Sequence, residues 1–266
     1  MSSPRLVALD MDGTLLDEKG RIPDEFWDLL GRAKQQGVTI APASGRQLAT
    51  LRDMFEVTNE RPDTFIAENG TVVWHKGEIV SEKPMRKDIV NAVLDALDNV
   101  GFPVHVVLCK AQASYTDENL PADVTAEVDK YYHANQHVAS LRDVVDTHVV
   151  KIALYVETDA ERDALPVVRE VAPDYTLAVS SKHWLDVMAP GANKGVALLD
   201  LAKALGIKQE DTAAIGDYLN DYELLQAAGT AVAMENAHPD LKAIADEITT
   251  SNIDHGALKT LRKWLS

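Results

Sequence analysis

A chain of 266 residues suits one large domain or two smaller ones, and either arrangement folds without disulfides or a structural metal. Its 42 acidic residues outweigh 26 basic ones for a formal net charge of -16, a field that repels polyanions and excludes nucleic acid as the main partner. The single cysteine, Cys109, forms no internal disulfide, and its neighbours Val106, Val107 and Leu108 point to a buried thiol in a reducing compartment. Met1-Ser2-Ser3-Pro4-Arg5 does not read as a secretory signal, and no apolar stretch is long enough to span a bilayer, so the expectation is a cytoplasmic protein with no membrane partner.

Residues 6–9 form a short apolar strand that runs into Asp10-Met11-Asp12-Gly13-Thr14. Period-2 geometry predicts Asp10 and Asp12 on one side of the chain at the strand's carboxyl end, where open α/β sheets bind their ligands. Asp-x-Asp-Gly taken alone reads equally well as a solvated acidic turn. After a polar loop over 16–22, Pro23-Asp24-Glu25 opens a helix with Phe26, Leu29, Leu30 and Ala33 on one face, ended by Gly37. Residues 38–41 are a second strand that stops at Ser44-Gly45-Arg46, and the next helix carries Leu48, Leu51 and Phe55. Residues 64–67 are a third strand, ending at Glu68-Asn69-Gly70. This alternation predicts parallel pairing with right-handed crossovers, with residues 71–74 and 78–80 as an edge hairpin around Lys76-Gly77.

From about Lys83 the pattern changes. A helix bearing Ile89, Ala92, Val93, Ala96, Leu97 and Val100, closed by Gly101, precedes strands at 104–108, 148–156, 175–179 and 184–188, with helical stretches at 122–134 and 159–171. None of these strands ends in an acid pair, so residues 83–188 read as an inserted α+β module that governs selectivity, with 1–82 and 189–266 as the core. His133 and His137 are spaced for one helix face, and a structural pair is preferred to a metal site because no metalloprotease signature accompanies them. His183, Trp184 and Asp186 lie where the insert returns to the core, close enough to touch a substrate, although Trp184 reads first as a core aromatic.

The alternation resumes at Asn193-Lys194-Gly195, which opens a helix bearing Val196, Leu199, Ala202 and Leu205 and closed by Gly206. A strand at 212–215 then delivers Gly216-Asp217-Tyr218-Leu219-Asn220-Asp221, followed by a helix with Leu224, Leu225 and Ala228, a strand at 230–233 and a closing helix with Ala257, Leu258, Leu261 and Leu265. Four polar clusters thus share one address at the end of a strand or the start of the next helix: Asp10/Asp12, Ser44, Lys194 and Asp217/Asn220/Asp221. A carboxylate that attacks a phosphate dianion meets like-charge repulsion, so such a site needs a divalent cation and fixed donors for the phosphoryl oxygens. Asp10 and Asp217 offer the hard oxygens that Mg2+ takes, and Lys194 and Ser44 offer charge and hydrogen bonds. The run 191–195 lacks the Gly-Lys-Ser/Thr order of a P-loop, which excludes nucleoside triphosphate binding on that basis.

Asp10-Met11-Asp12-Gly13-Thr14, Ser44-Gly45-Arg46, Lys194-Gly195 and Gly216-Asp217-Tyr218-Leu219-Asn220-Asp221, in this order, resemble the haloacid dehalogenase superfamily and within it the Cof-type phosphatases. The resemblance covers nearly the whole chain and implies an α/β fold, a Rossmann-like parallel-sheet core with an inserted α+β cap. It implies Asp10 as the nucleophile and Asp12 as the general acid/base, with Asp10, the backbone carbonyl of Asp12 and Asp217 as ligands of Mg2+ and Asp221 in support of the metal shell. Ser44, Gly45, Arg46, Lys194 and Asn220 would bind the phosphoryl group, and Asn69 faces the same mouth. Tyr218 departs from many relatives and is expected to pack on the next helix. The implied activity is Mg2+-dependent hydrolysis of small phosphorylated metabolites such as sugar or polyol phosphates by a monomer or small homo-oligomer. A sugar phosphomutase and a non-catalytic phospholigand sensor are the alternatives, the latter disfavoured because a binder gains nothing from carboxylates aimed at an anion.

Overall fold

The structure is a computed structural model that describes residues 3–56 and 61–266. It divides into two compact units: residues 1–44, 51–81 and 193–266 form the first, and residues 45–50 and 82–192 form the second. The first unit starts with β1 (Leu6–Asp10), whose five residues are all buried, as a central strand of a parallel sheet requires. Then come α1 (Glu25–Gln35), with Phe26, Leu29, Leu30 and Ala33 inside as the spacing predicts, β2 (Thr39–Ala43), α2 (Leu48–Met54), which belongs to this unit from Leu51 on, β3 (Thr64–Ala67), β4 (Val72–His75) and β5 (Glu78–Glu82), which belongs to it up to Ser81.

The second unit contains α3 (Lys87–Leu97), β6 (Val104–Lys110), β7 (Ser114–Asp117), α4 (Ala122–Val128), β8 (Asn135–Val138), β9 (Val149–Val156), α5 (Leu165–Val171), β10 (Thr176–Val179) and β11 (Trp184–Met188). Its six strands are ordered β10-β11-β9-β6-β7-β8. Ile152, Leu154, Leu185 and Val187 on one face pack with Val90, Val93, Leu94 and Leu97 of α3 and Val168 of α5. The opposite face carries Lys151 and Tyr155 of β9 and Trp184 and Asp186 of β11, by the alternation that the Trp184↔Tyr155 and Asp186↔Ala153 register imposes. Cys109 of β6 is fully buried, as expected.

Three expectations for this unit need correction. The helix expected over 122–134 ends at Val128, because the chain turns back to pair β8 in parallel with β7. His137 therefore lies on a strand, with Nδ1 3.0 Å from the Thr116 hydroxyl, and shares no helix face with His133. The sequence reading contained neither β7 nor β8, since Ser-Tyr-Thr-Asp and Asn-Gln-His-Val have no apolar alternation. Their buried Ser114 and Thr116 hydroxyls are satisfied by the Asn135 side chain at 3.1 and 2.9 Å. In α3 the buried stripe is Val90, Val93, Leu94 and Leu97, rotated from the one expected because Leu94 rather than Ala92 turns onto the sheet.

The chain returns to the first unit with α6 (Lys194–Ala204), β12 (Thr212–Gly216), α7 (Tyr222–Ala227), β13 (Thr230–Ala233), α8 (Pro239–Ile244), β14 (Glu247–Ile248) and α9 (Gly256–Trp264). The sheet order is β14-β13-β12-β1-β2-β3-β4-β5, parallel from β14 to β3, with β4 antiparallel to β3. From β1 the chain moves outward through β2 and β3, then outward on the other side through β12 and β13. The carboxyl end of β1 is thus the topological switch point, the place in such sheets where a crevice opens. In α6 the buried positions are Lys194, Gly195, Ala197, Leu198, Leu201 and Ala202, while Leu199, expected inside, is 37% exposed. This helix is apolar on most sides, so its periodicity did not select the face that α7 covers.

Candidate active site

Parallel register sets the frame. Asp10 of β1 pairs with Ala43 of β2, and Leu9 pairs with Ile215 of β12. Ser44 and Asp217 therefore follow directly on either side of Asp10. β1 ends at Asp10, and a turn over Met11–Leu15 replaces the expected alternation, with Asp12 extended (φ -75°, ψ 120°) and Gly13 at φ 79°. Asp10 is consequently buried and Asp12 exposed. Gly13 occupies a left-handed conformation against the Asp217 carboxylate, where a Cβ would lie 2.2 Å from Oδ2.

Lys194 is delivered by the first turn of α6. Asn193 caps that helix by accepting the Val196 N–H at 2.8 Å, and Gly70 (φ 92°) lets the β3 turn lie against it, since a Cβ there would sit 2.4 Å from the Asn193 carbonyl. The Lys194 side chain is fully buried, and its Nζ donates to Asp10 Oδ1 and to Asp221 Oδ1, both at 2.7 Å. Asp221 Oδ2 accepts the backbone N–H of Asp217 at 3.1 Å and of Tyr218 at 3.5 Å, so both of its oxygens are engaged. Asp10 Oδ2 is different: it is buried and has no hydrogen-bond partner among the described residues.

Asp10, Asp217 and Asp221 each present an oxygen within 4.8 Å of the others. Three carboxylates against one ammonium leave two negative charges in a small volume. Burial, followed by the Asp221 charge, pushes the Asp10 pKa well above the usual carboxylate range despite the opposing pull of Lys194. Burial and Asp221 likewise push Asp217 up to about 7, with a smaller contribution from Asp12. Lys194 is disfavoured as a cation by its burial, but Asp10 and Asp221 overcome this and hold its pKa above the ordinary lysine value. The orphaned Asp10 Oδ2 and the hard oxygen donors around it fit a divalent cation of the Mg2+ kind.

The other expected residues are placed as follows. Ser44 is buried, its N–H donating to the Ile66 carbonyl at 2.9 Å and its carbonyl accepting the Asn69 N–H at 3.0 Å. Asn69 is buried in a left-handed conformation (φ 54°). Asn220 is half-buried in the turn Leu219–Asp221. Gly45 and Arg46 belong to the second unit, where the Arg46 guanidinium lies 5.2 Å from the Tyr131 ring centroid. Tyr218 does not pack on the next helix: it is 51% exposed and meets the His238 ring edge-on. Trp184 is buried among Tyr131, Tyr132 and Tyr155, and Asp186 is buried 3.5 Å from Lys151.

The sequence reading missed Asn236, whose Nδ2 donates to the Gly13 carbonyl at 2.8 Å and reaches Asp217 Oδ2 at 3.4 Å while its Oδ1 accepts the Asn252 N–H at 3.1 Å. Asn236 lies beyond Met234 and Glu235 after the end of β13, whereas Asp217 follows β12 directly. The rule that singled out the other clusters marks the residues directly at a strand's end and so passes over it.

The model of the haloacid dehalogenase-like hydrolases matches residues 7–261. The chain belongs to this family. It is 30% identical over 267 residues to the 5-amino-6-(5-phospho-D-ribitylamino)uracil phosphatase YbjI of Escherichia coli, covering 99% of this chain and 97% of that protein. It is 31% identical over 241 residues to the HMP-PP phosphatase of Cronobacter sakazakii, covering 90% and 87%. Among solved structures, a haloacid dehalogenase-like hydrolase from B. subtilis is 28% identical with a TM-score of 0.83 over 97% of this chain and 99% of that one. The four-motif resemblance therefore holds across the chain, and the haloacid dehalogenase-like fold is the α/β architecture it implied. No helix among the described residues is long and apolar enough to cross a membrane.

Proposed function

We propose that this haloacid dehalogenase-like hydrolase is a Mg2+-dependent phosphomonoesterase for small phosphorylated metabolites of the sugar or polyol phosphate kind. The observation that carries the reading is Asp10: one oxygen is held by Lys194, and the other is buried with no partner at the carboxyl end of the central strand. The relatives' names support the substrate class, since one acts on a phosphorylated ribityl compound.

Asp10 attacks phosphorus, a bond forms between its carboxylate oxygen and phosphorus, and the ester P–O bond breaks as Asp12 passes a proton to the departing alkoxide. Asp12, now ionised, takes a proton from water as the water oxygen attacks phosphorus. The bond to Asp10 breaks, and inorganic phosphate leaves. Exposure suits Asp12 to exchange protons with substrate and water, and burial suits Asp10 to attack without competing hydration. Lys194 holds the Asp10 carboxylate in one rotamer and offers positive charge to the phosphoryl oxygens. Asp10 and Asp217, with the carbonyl of Asp12, would hold Mg2+, which supplies charge that offsets the repulsion between Asp10 and the phosphate dianion. Asp221 supports that shell from behind, through Lys194 and the amides of residues 217 and 218.

A panel of phosphorylated sugars, polyols and ribityl compounds tests the reading. Chelator-sensitive release of inorganic phosphate is expected. Release that survives both chelation and loss of the Asp10 carboxylate overturns the mechanism, and isomerised substrate without free phosphate identifies a mutase instead.

The metal requirement has a pH signature. With Asp217 raised to about 7, the folded metal-free chain keeps a proton that the unfolded chain releases near 3.8. The stability contributed by this group is therefore full at low pH and lost as pH rises through about 7. Mg2+ binds the ionised carboxylates, so its addition raises the Tm by several degrees at about pH 8 and by much less at about pH 5. Thermal unfolding with and without Mg2+ measures this, and an equal shift at both pH values contradicts it.

A further inference from the structure

Asn236 is exposed, so burial does not oblige its carboxamide to hold any protein partner, yet it is engaged at both ends. Nδ2 donates to the Gly13 carbonyl at 2.8 Å and lies 3.4 Å from Asp217 Oδ2, while Oδ1 accepts the Asn252 N–H at 3.1 Å. A backbone N–H needs an oxygen as its acceptor, which settles the orientation of the carboxamide and leaves both hydrogens of Nδ2 on the side of Gly13 and Asp217. The segment that carries Asn236 is itself tied to the end of β12. The Met234 N–H donates to the Gly216 carbonyl at 3.1 Å, and the His238 N–H to the Asp217 carbonyl at 2.8 Å. Asn252 extends the network, its Nδ2 donating to the Leu16 carbonyl at 3.0 Å. The turn over Met11–Leu15 is thus held at Gly13 by one asparagine and just past its end by another, all within the first unit.

Two of the three clustered carboxylates, Asp10 and Asp221, are held by Lys194. Asp217 is the half-buried member, and its Oδ2 lies against Gly13 at a place where no Cβ would fit. The Gly13 backbone is therefore the wall on which this carboxylate rests. Holding the Gly13 carbonyl fixes the wall, and the other hydrogen of Nδ2 faces the carboxylate. At 3.4 Å that second contact is longer than an ordinary hydrogen bond, so the hold on Asp217 acts chiefly through Gly13. A ligand oxygen oriented before a cation arrives does not have to be ordered on binding, and loss of such an outer partner weakens metal binding by about 10–100-fold.

We infer that Asn236 is a positioning residue that locks the Gly13 turn and the Asp217 carboxylate to each other and so pre-forms the acidic cluster for a divalent cation. The inference rests on the Mg2+-dependent reading and deepens it. Calorimetry on the metal-free protein measures the Mg2+ Kd of wild type, Asn236→Ala and Asn252→Ala, beside their urea unfolding midpoints without metal. Asn236→Ala raises the Kd about tenfold. Asn252→Ala frees the turn at Leu16 but keeps its own N–H on Asn236, so it changes the Kd far less even where it lowers the unfolding midpoint as much. A purely structural asparagine moves only the midpoint, so a wild-type Kd in Asn236→Ala overturns the inference whatever the stability. Equal losses of affinity in the two variants assign the effect to the turn as a whole and overturn it too. Should Asn236→Ala fail to fold, Asn236→Ser, whose hydroxyl is too short to span Gly13 and Asn252, is judged by the same constant. Phosphate release is read separately: wild type that binds no Mg2+ overturns the metal reading and the role of Asn236 together, whereas wild type that binds Mg2+ without turnover removes only the phosphomonoesterase reading, and the Kd comparison still decides Asn236.

Discussion

Asp10→Asn lowers phosphate release by about a thousandfold or more and leaves the chain folded. The carboxamide oxygen still accepts from Lys194, so the shape of the site is kept, but the group is no longer nucleophilic and presents an N–H₂ or a neutral oxygen where a cation would bind. Stability changes in the opposite direction to activity. Burial and Asp221 already push the Asp10 pKa well up, which means that the ionised form is disfavoured in the folded metal-free chain. A group raised in this way loses its stability contribution as pH rises, and a neutral side chain escapes that loss. The metal-free variant is therefore expected to have a Tm equal to or above that of wild type at about pH 8, a trade of stability against function. A phosphate-release assay and a thermal scan measure the two halves, and an active Asp10→Asn protein removes Asp10 from the chemistry.

Lys194→Met is expected to cost both activity and stability. The ammonium joins Asp10 to Asp221 at 2.7 Å on each side; without it, two buried carboxylates face each other. Breaking a buried ion pair by removing one partner destabilises by about 3–5 kcal/mol. The sign with pH follows from Asp10, whose pKa burial and the Asp221 charge push up: its ionisation grows with pH, so the loss is larger at about pH 8 than at about pH 5. Turnover falls by a factor on the order of a hundred to a thousand, the effect of removing one preorganised donor from an oxyanion site. Lys194→Arg is no substitute, because the side chain is fully enclosed and a larger planar group strains the α6 turn. Urea unfolding at both pH values measures the stability half; equal losses at both would contradict the electrostatic account.

The sequence by itself determined where the polar side chains of the candidate site would gather. Parallel strands end together, so an apolar run that stops at polar residues marks the same edge each time it recurs, and Asp10, Ser44 and Asp217 were legible for that reason alone. Lys194 was legible because Asn193-Lys194-Gly195 opens a helix, with Asn193 as its N-cap. Tertiary structure decided how these residues divide their contacts: Lys194 bridges Asp10 and Asp221, Asp221 spends its second oxygen on backbone amides, and Asp10 keeps one oxygen open. These are distances between segments remote in the chain, on which periodicity carries no information. The same holds for β7 and β8, polar strands that exist because Asn135 satisfies Ser114 and Thr116, and for Asn236 and Lys151, each a lone polar residue in an ordinary local context. Local pattern reports which face a residue prefers; what a buried polar group meets there depends on the partner that the fold brings to it, because only a paired polar group is stable inside.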